Sequence, residues 1–331
     1  MPFTTPVLKT IRQHQLIRPG DLICVGVSGG ADSVALLTAL TELRHVLGAR
    51  LLAGHINHGL RKSAGTDQKY VEHLCRQFKI PCVVVKLSLK RTKLNGSLEE
   101  RAREARLDSL IRIARCHKAA AVALAHTQDD LAETVLMRIL RGTGMLGLRS
   151  ILPRRVIHGT VFIRPLLDCS RQDVETFLKM KKLKFRTDPT NRSRRFLRNR
   201  IRLDLLPLLQ KTYNPGIKNV LAGLARTLAD DYEVLTNESR RVLKKPLLLQ
   251  QTQSQIQLSL SQLRKLPTAV RRLTLRLVME DLTGNLRQLS LAHGDELEDL
   301  IFNRPQGSRV DLPGSLQAVT SRQKLKITTQ P

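Results

Sequence analysis

The apolar positions of the first half of the chain gather into four short unbroken runs, at 22–27, 51–56, 82–87 and 121–125. None alternates with polar residues, which is the pattern of strands buried on both faces of a parallel sheet. Between and after them, apolar residues recur at three- and four-residue spacing. This predicts helices near 32–46, 65–79, 97–118 and 129–141, with a short helix at 8–16 ahead of the first strand. Four strand–helix units in series define an α/β fold with a doubly wound parallel sheet.

Gly142, Gly144, Gly147 and Pro153 break the fourth helix. A hairpin-like segment through Val156 and Val161–Ile163 follows, then a helix at 170–183 and a basic helix at 198–209 closing on Pro207. Asn214-Pro215-Gly216 is the strongest boundary signal and divides the chain into domains 1–213 and 214–331. The second is predicted to be smaller and mostly helical, with a short terminal β hairpin. It opens on a long amphipathic helix at 217–244 and passes through a polar, low-complexity stretch at 250–257. Helices at 267–282 and 290–302 lead to a hairpin around 307–315, with strands continuing to Thr328.

The polar residues of the first domain sit in one place relative to its strands. Ser28 follows the first, His55, Asn57 and His58 close the second, Lys86 and Ser88 end the third, and His126 ends the fourth. Open α/β sheets bind ligands at these carboxyl ends. The stretch Val27-Ser28-Gly29-Gly30-Ala31-Asp32-Ser33 joins the first strand to the first long helix. Its glycines allow a tight turn with bare N–H groups, and the helix start adds unpaired donors and a positive dipole end. Ser28 and Ser33 would donate hydroxyl bonds to phosphate. Asp32 would repel phosphate unless Mg²⁺ lay between them. A tight turn with a serine cap is the plainer reading of a bare Ser-Gly-Gly. The lysine of the Walker loop and the glycine spacing of the dinucleotide loop are both missing.

A second polar cluster, His126-Thr127-Gln128-Asp129-Asp130-Leu131-Ala132-Glu133-Thr134, opens the helix after the fourth strand. Asp130 and Glu133 share a helix face. Acids at a helix start also serve as caps and dipole complements, which suffices for Asp129. Three acids converging on the sheet edge that holds the phosphate loop suit a metal or a cationic substrate.

Charge changes the picture. Fifty-six Lys and Arg against 28 Asp and Glu leave +28, which implies a polyanionic partner, nucleic acid above all. Residues 138–202 hold 18 basic and four acidic side chains, so half of that excess lies in this stretch. The five cysteines include no Cys-x-x-Cys, which argues against a disulfide framework, a zinc site and an iron–sulfur cluster, and for reduced thiols in the cytoplasm. No apolar stretch approaches the roughly 20 residues of a membrane span, and Met1 to Gln15 lacks a signal-peptide core.

The first motif resembles the Ser-Gly-Gly-x-Asp-Ser loop of the PP-loop ATP pyrophosphatases. Within that group, His126, Asp129, Asp130, Glu133 and Thr134, then Arg141-Gly142-Thr143-Gly144 and Gly147-Leu148, resemble the tRNA(Ile)-lysidine synthetases. So do His55-Ile56-Asn57-His58-Gly59-Leu60-Arg61, Ala102-Arg103-Glu104 with Arg106, Arg164-Pro165-Leu166-Leu167, and Asp188-Pro189-Thr190-Asn191 with Arg198-Asn199-Arg200-Ile201-Arg202. The C-terminal domain resembles the family more faintly, around Leu312-Pro313-Gly314. Leu131 stands where the family has Gln, and Leu107 where it has Tyr. The chain is also shorter than family members that carry a further C-terminal domain.

The resemblance implies an ATP- and Mg²⁺-dependent ligase. It would adenylate carbon 2 of the wobble cytidine in the CAU anticodon of tRNA(Ile) and then join free L-lysine there. ATP would be held by Ser28, Gly29, Gly30, Ala31, Asp32, Ser33, His55 and His126, with Asp32 on the metal. Asp130 and Glu133 would hold the lysine ammonium and take its proton. Arg103 and Arg106 would meet triphosphate or adenylate, or else pair with Glu99 or Glu100 at helical spacing. Arg192, Arg194, Arg195, Arg198, Arg200 and Arg202 would bind tRNA. The first domain would be catalytic and the second would recognise tRNA, and one basic face is compatible with a homodimer. Two rivals stand beside this reading. One is a PP-loop tRNA thiolase, which would need paired cysteines. The other is an RNA-binding protein on a dead nucleotide fold, against which the intact Asp32, Asp130 and Glu133 argue.

Overall fold

The computed structural model describes residues 2–57, 64–87, 98–186, 193–245, 249–251, 255–284 and 289–330. His58, Ser88, Arg192 and the Asp188–Asn191 turn lie outside them, as do the side chains of Glu99 and Glu100.

A helix, α1 (Thr4–Gln13), precedes the alternating series β1 (Leu22–Gly26), α2 (Ala31–Leu47), β2 (Arg50–Asn57), α3 (Ala64–Phe78), β3 (Cys82–Lys86), α4 (Leu98–Cys116), β4 (Ala121–Ala123) and α5 (Gln128–Leu140). A single turn, α6 (Met145–Leu148), leads to β5 (Arg154–Ile157) and β6 (Thr160–Ile163). Then come α7 (Arg171–Met180), α8 (Leu197–Arg200), a π turn (Ile201–Leu205), α9 (Leu206–Thr212) and α10 (Ile217–Leu243).

The sheet order is β3-β2-β1-β4-β6-β5. All neighbours are parallel except β5, which runs antiparallel to β6. The hairpin expected around Val156 and Val161 is therefore part of the sheet: Val122 pairs with Phe162 and Ala123 with Ile163. Successive residues of β1 enter opposite layers. Ile23 and Val25 pack with Leu36, Leu37, Leu40, Leu74, Phe177 and Leu178. Cys24 packs with Leu52, Leu110, Ile113, Val122 and Phe162. Burial on both faces is why these strands read as unbroken apolar runs.

The chain winds outward from β1 to β2 and β3, then crosses back to β4 on the other side of β1. That reversal opens a crevice at the carboxyl ends of β1 and β4. A third cluster joins Leu131, Ala132 and Val135 of α5 to Ile201, Leu206, Leu221, Ala222 and Ala225. Leu131 is 2% exposed, so at this departure from the family pattern apolar packing fixes α5 against the 197–212 segment.

The expected basic helix does not close on Pro207; it continues to Thr212 through the π turn. Pro207 has no N–H, and in a regular helix its ring would meet the carbonyl of Leu203. Widening the preceding turn, where the Leu206 amide reaches back to Ile201 O, accommodates it.

The chain divides into compact units at Ala229/Asp230, within α10. The second unit carries a five-stranded antiparallel sheet, β7-β8-β11-β10-β9. Its elements are β7 (Leu249–Gln251), β8 (Gln255–Ser259), α11 (Leu260–Lys265), α12 (Thr268–Thr283), α13 (Leu291–Phe302), β9 (Arg309–Leu312), β10 (Leu316–Ser321) and β11 (Lys324–Thr329). The described residues of the polar stretch at 250–257, namely 250–251 and 255–257, belong to β7 and β8. Ile256 and Leu258 are buried, while Gln255 and Gln257 alternate on the other face. Glutamines on the solvated face hid a strand whose inward positions pack with Leu325 and Ile327.

Phe162, fully buried, is the largest side chain in the layer under α4. Phe162→Ala is expected to lower the unfolding free energy by about 3–5 kcal/mol in denaturant titration. Val156→Ala, on the exposed edge strand (55%), is expected to change it by less than about 0.5 kcal/mol.

Candidate active site

The phosphate loop is held from below and from within. Gly29 adopts φ +87°, and Gly30 caps α2 in an extended conformation. The Ser33 hydroxyl donates to Gly30 O (2.8 Å) and receives the Ser28 amide (3.1 Å), and the Ser28 hydroxyl lies 3.1 Å from it. The Arg186 amide donates to Gly29 O (2.9 Å). A carbonyl only accepts, so His55 donates from Nδ1 to Val27 O (2.8 Å). Its Nε2 is buried and without a partner. His55 thus lies against the loop's entry.

Asp32, in the first turn of α2, bonds Arg171 Nη1 at 2.6 Å through Oδ2, while its Oδ1 is buried with no partner. Burial raises the Asp32 carboxyl to about 6. Arg171 opposes that shift, the nearby Asp130 adds to it and Arg202 opposes it. Mutual influence of Asp32 and Asp130 places the two motifs side by side. Among the described residues no group of three or more His, Cys, Asp or Glu would hold a metal by itself. A lone carboxylate with an orphaned oxygen fits Mg²⁺ held jointly with substrate phosphates.

On α5, Thr127 and Asp130 form a reciprocal cap, with the Thr127 amide donating to Asp130 Oδ2 at 2.9 Å. The other Asp130 oxygen accepts from Arg198 Nη2 (2.8 Å) and Arg202 Nη2 (3.4 Å). Glu133, 1% exposed, accepts from Arg198 Nε (2.9 Å) at one oxygen and Arg202 Nε (2.5 Å) at the other. Burial alone would raise the Asp130 carboxyl. Arg198, His126, the Thr127 amide and Arg202 outweigh it and hold it below its ordinary range. Asp129 accepts from the Arg171 amide (2.7 Å) and from Lys218 Nζ (2.7 Å). His126 accepts from Arg164 Nε at Nδ1 (3.3 Å), and burial carries it down to about 4 despite Asp130, with Arg164, Arg198 and Arg103 adding to the shift.

The sequence-derived residues therefore divide. Ser28, Gly29, Gly30, Ala31, Asp32, Ser33, His55, His126, Asp130 and Glu133 gather around the crevice. Arg103 is exposed on α4 within charge range of His126. Of the arginines expected on tRNA, Arg198 and Arg202 sit on Asp130 and Glu133. Arg194 pairs with Asp204 (3.0 Å), and Arg195 and Arg200 are exposed. Sequence reasoning missed Arg171 and Lys218, which belong to no motif, and gave Arg164 no role. Arg171 follows the α7 cap Ser170, and nothing in its spacing points to Asp32.

Comparison with known proteins fits this geometry. The PP-loop domain family matches residues 4–209, and the TilS substrate binding domain family matches 258–325. The chain carries the PP-loop ATP-binding fold. Its likeness to the U34-tRNA thiolase NcsA from Methanococcus maripaludis, solved with its [4Fe-4S] cluster, shows that fold alone: TM-score 0.59 and 21% identity, over 69% of this chain and 79% of that one.

The tRNA(Ile)-lysidine synthase of Geobacter sulfurreducens is 37% identical over 95% of this chain and 67% of its own length. That of Dehalococcoides mccartyi is 36% identical over 95% and 67%. That of Clostridium tetani is 38% identical over 69% and 49%. The chain belongs to the tRNA(Ile)-lysidine synthase family. It spans about two thirds of the first two relatives and about half of the third. No helix among its described residues is long and apolar enough to cross a membrane.

Because Asp32 titrates near 6 in the fold against 3.8 for the free side chain, the folded protein binds a proton between these values that the unfolded chain releases. That contribution is complete below about pH 4 and is lost as pH rises through 6. Asp32→Asn is therefore expected to stabilise the protein at pH 8, on the order of 3 kcal/mol, and to leave it unchanged at pH 4. Denaturant titrations at the two pH values check this; an equal effect at both contradicts it.

Proposed function

We propose that this protein, acting in the cytoplasm, joins L-lysine to carbon 2 of the wobble cytidine in the CAU anticodon of tRNA(Ile), at the cost of ATP. The observation that carries the reading is convergence. In a chain of this family, Asp32 of the phosphate loop and the His126, Asp130 and Glu133 cluster meet at one crevice. The cytidine O2 attacks the α-phosphorus of ATP and pyrophosphate leaves. The lysine amine then attacks carbon 2 and AMP leaves, so the poor leaving oxygen is exchanged for a good one. The Gly29 amide, the start of α2 and the Ser28 hydroxyl would take the pyrophosphate charge, with Ser33 and the Gly30 amide bracing the loop from within. Asp32 would hold Mg²⁺, which would supply charge neutralisation at the phosphates. His126, neutral at physiological pH, lines the nucleotide.

Asp130 and Glu133 hold the lysine ammonium by charge-assisted bonds and accept its proton before attack. Arg198 and Arg202 bind tRNA phosphate. In binding RNA they loosen their hold on the two acids, which frees Asp130 and Glu133 for the ammonium. The carbon–nitrogen bond formed and the modified base change the tRNA's identity from methionine to isoleucine and its codon from AUG to AUA.

With ATP and magnesium, pyrophosphate release is expected to require RNA and to be abolished by Asp32→Ala. Release without RNA, or none with any RNA, contradicts the adenylation step. Asp130→Asn and Glu133→Gln are expected to raise the lysine concentration needed for half-maximal rate at least tenfold while changing the ATP requirement less than about twofold. Equal effects on both contradict the ammonium assignment.

A further inference from the structure

The chain holds seven Phe, three Tyr and no Trp. Most of these rings serve packing. Phe3 and Phe177 stack with centroids 4.4 Å apart, Phe162 and Tyr232 are buried, and Tyr70, Phe78 and Phe185 pack against the core cluster around β1. Three rings are exposed: Phe196, Tyr213 and Phe302. The Arg271 guanidinium lies over Phe302, 4.7 Å from its centroid, so that ring has a partner. Tyr213, 74% exposed, has no arginine within four residues on either side. Phe196, 39% exposed, stands among Arg194, Arg195 and Arg198 and belongs to none of the apolar clusters.

A single exposed apolar side chain is ordinary on a protein surface. Three features set Phe196 apart. It occupies the N-cap of α8, where Ser, Thr, Asp or Asn would accept an amide hydrogen bond, and its own side chain makes none. The turn that carries it is anchored. Asn199 Nδ2 donates to Ser193 O (2.8 Å), the Arg200 amide donates to Phe196 O (3.1 Å), and Arg194 Nε bonds Asp204 (3.0 Å). Finally, Arg198, whose Nε lies 2.9 Å from Glu133, is two residues further on, a span of at most about 7 Å of chain. A ring that neither packs nor caps is thus held beside the acids of the crevice.

We propose that Phe196 is a stacking platform for an unpaired base of the RNA, the neighbour of the nucleotide undergoing modification. The inference rests on the reading of RNA as the substrate. Chemistry at carbon 2 takes the target base out of its stack, which leaves its neighbour with a bare π face. Single-stranded RNA is held by aromatic rings against such faces and by cations along its phosphates. Phe196 supplies the ring, and Arg195 and Arg200, both exposed, supply cations within four residues of it. A protein partner would call for a contiguous apolar patch. The two residues before Phe196 are arginines, and Leu197 after it packs against the α5 cluster.

The test exploits the absence of Trp. Phe196→Trp gives the chain a single indole whose emission reports what covers it. Binding of a labelled tRNA(Ile) transcript would be measured by anisotropy, at several salt concentrations, for Phe196→Trp, Phe196→Leu, Phe196→Ala and Tyr213→Ala. Phe196→Trp is expected to bind within about twofold of the unaltered chain, with its emission quenched as RNA saturates it. Phe196→Leu and Phe196→Ala are expected to weaken binding about tenfold, because both lose the π face. The salt slope is expected to stay the same, since no charge is removed. Tyr213→Ala is expected to leave binding within about twofold, and all four variants to keep the melting temperature of the unaltered chain.

Unquenched emission in the bound complex, or Phe196→Leu binding as tightly as the unaltered chain, would mean a contact without stacking and overturn the platform. Equal losses in Phe196→Ala and Tyr213→Ala would mean diffuse surface contact and overturn it as well. So would a lowered melting temperature in both Phe196→Leu and Phe196→Ala, which would assign the ring a packing role. Lysine transfer by the unaltered chain, with RNA binding unmoved by Phe196→Ala, would reject the platform while the functional reading stands. Quenching by RNA, with binding lost in Phe196→Leu, in a chain that transfers no lysine would do the reverse.

Discussion

Four carboxylates crowd the ends of β1 and β4, and the structure around them depends on the cations that hold them there. Asp32 has Arg171 from α7; Asp129 has Lys218 from α10 and the Arg171 amide; Asp130 and Glu133 share Arg198 and Arg202. Glu133 is almost fully buried, and a buried carboxylate without partners costs several kcal/mol. Elements distant in sequence are thereby pinned to one sheet edge by charge, while Leu131, Ile201 and Leu206 pin the same segments by apolar packing. The π turn at Pro207 fits this arrangement, since Arg198 and Arg202 flank its start and reach the same two acids.

Much of the first unit was legible in the sequence because its strands are buried on both faces and its helices are long. The four runs at 22–27, 51–56, 82–87 and 121–125 correspond to β1 to β4. Membership of β5 and β6 in the sheet was not legible, because short strands after a glycine-rich break carry no sign of their partner. The run of glutamines around 250–257 concealed β7 and β8, since only Ile256 and Leu258 mark the inward face. At the site, residues within the motifs announced themselves by chemistry and spacing. Their counterions did not. Arg171 and Lys218 act through tertiary proximity to Asp32 and Asp129, over separations that local pattern does not encode.

Part of the arginine excess serves the fold itself: Arg198 and Arg202 balance the buried Asp130 and Glu133. A basic composition alone cannot show this, because net charge counts every cation alike.

The most direct measurement of the central claim incubates the purified protein with radiolabelled lysine, ATP and magnesium. Parallel reactions contain tRNA(Ile) bearing CAU or tRNA(Met) with the same anticodon. The account predicts ATP-dependent labelling of the isoleucine tRNA and none of the methionine tRNA. Pyrophosphate released with tRNA but no lysine transferred would contradict the assigned nucleophile, and the absence of both would contradict the account as a whole.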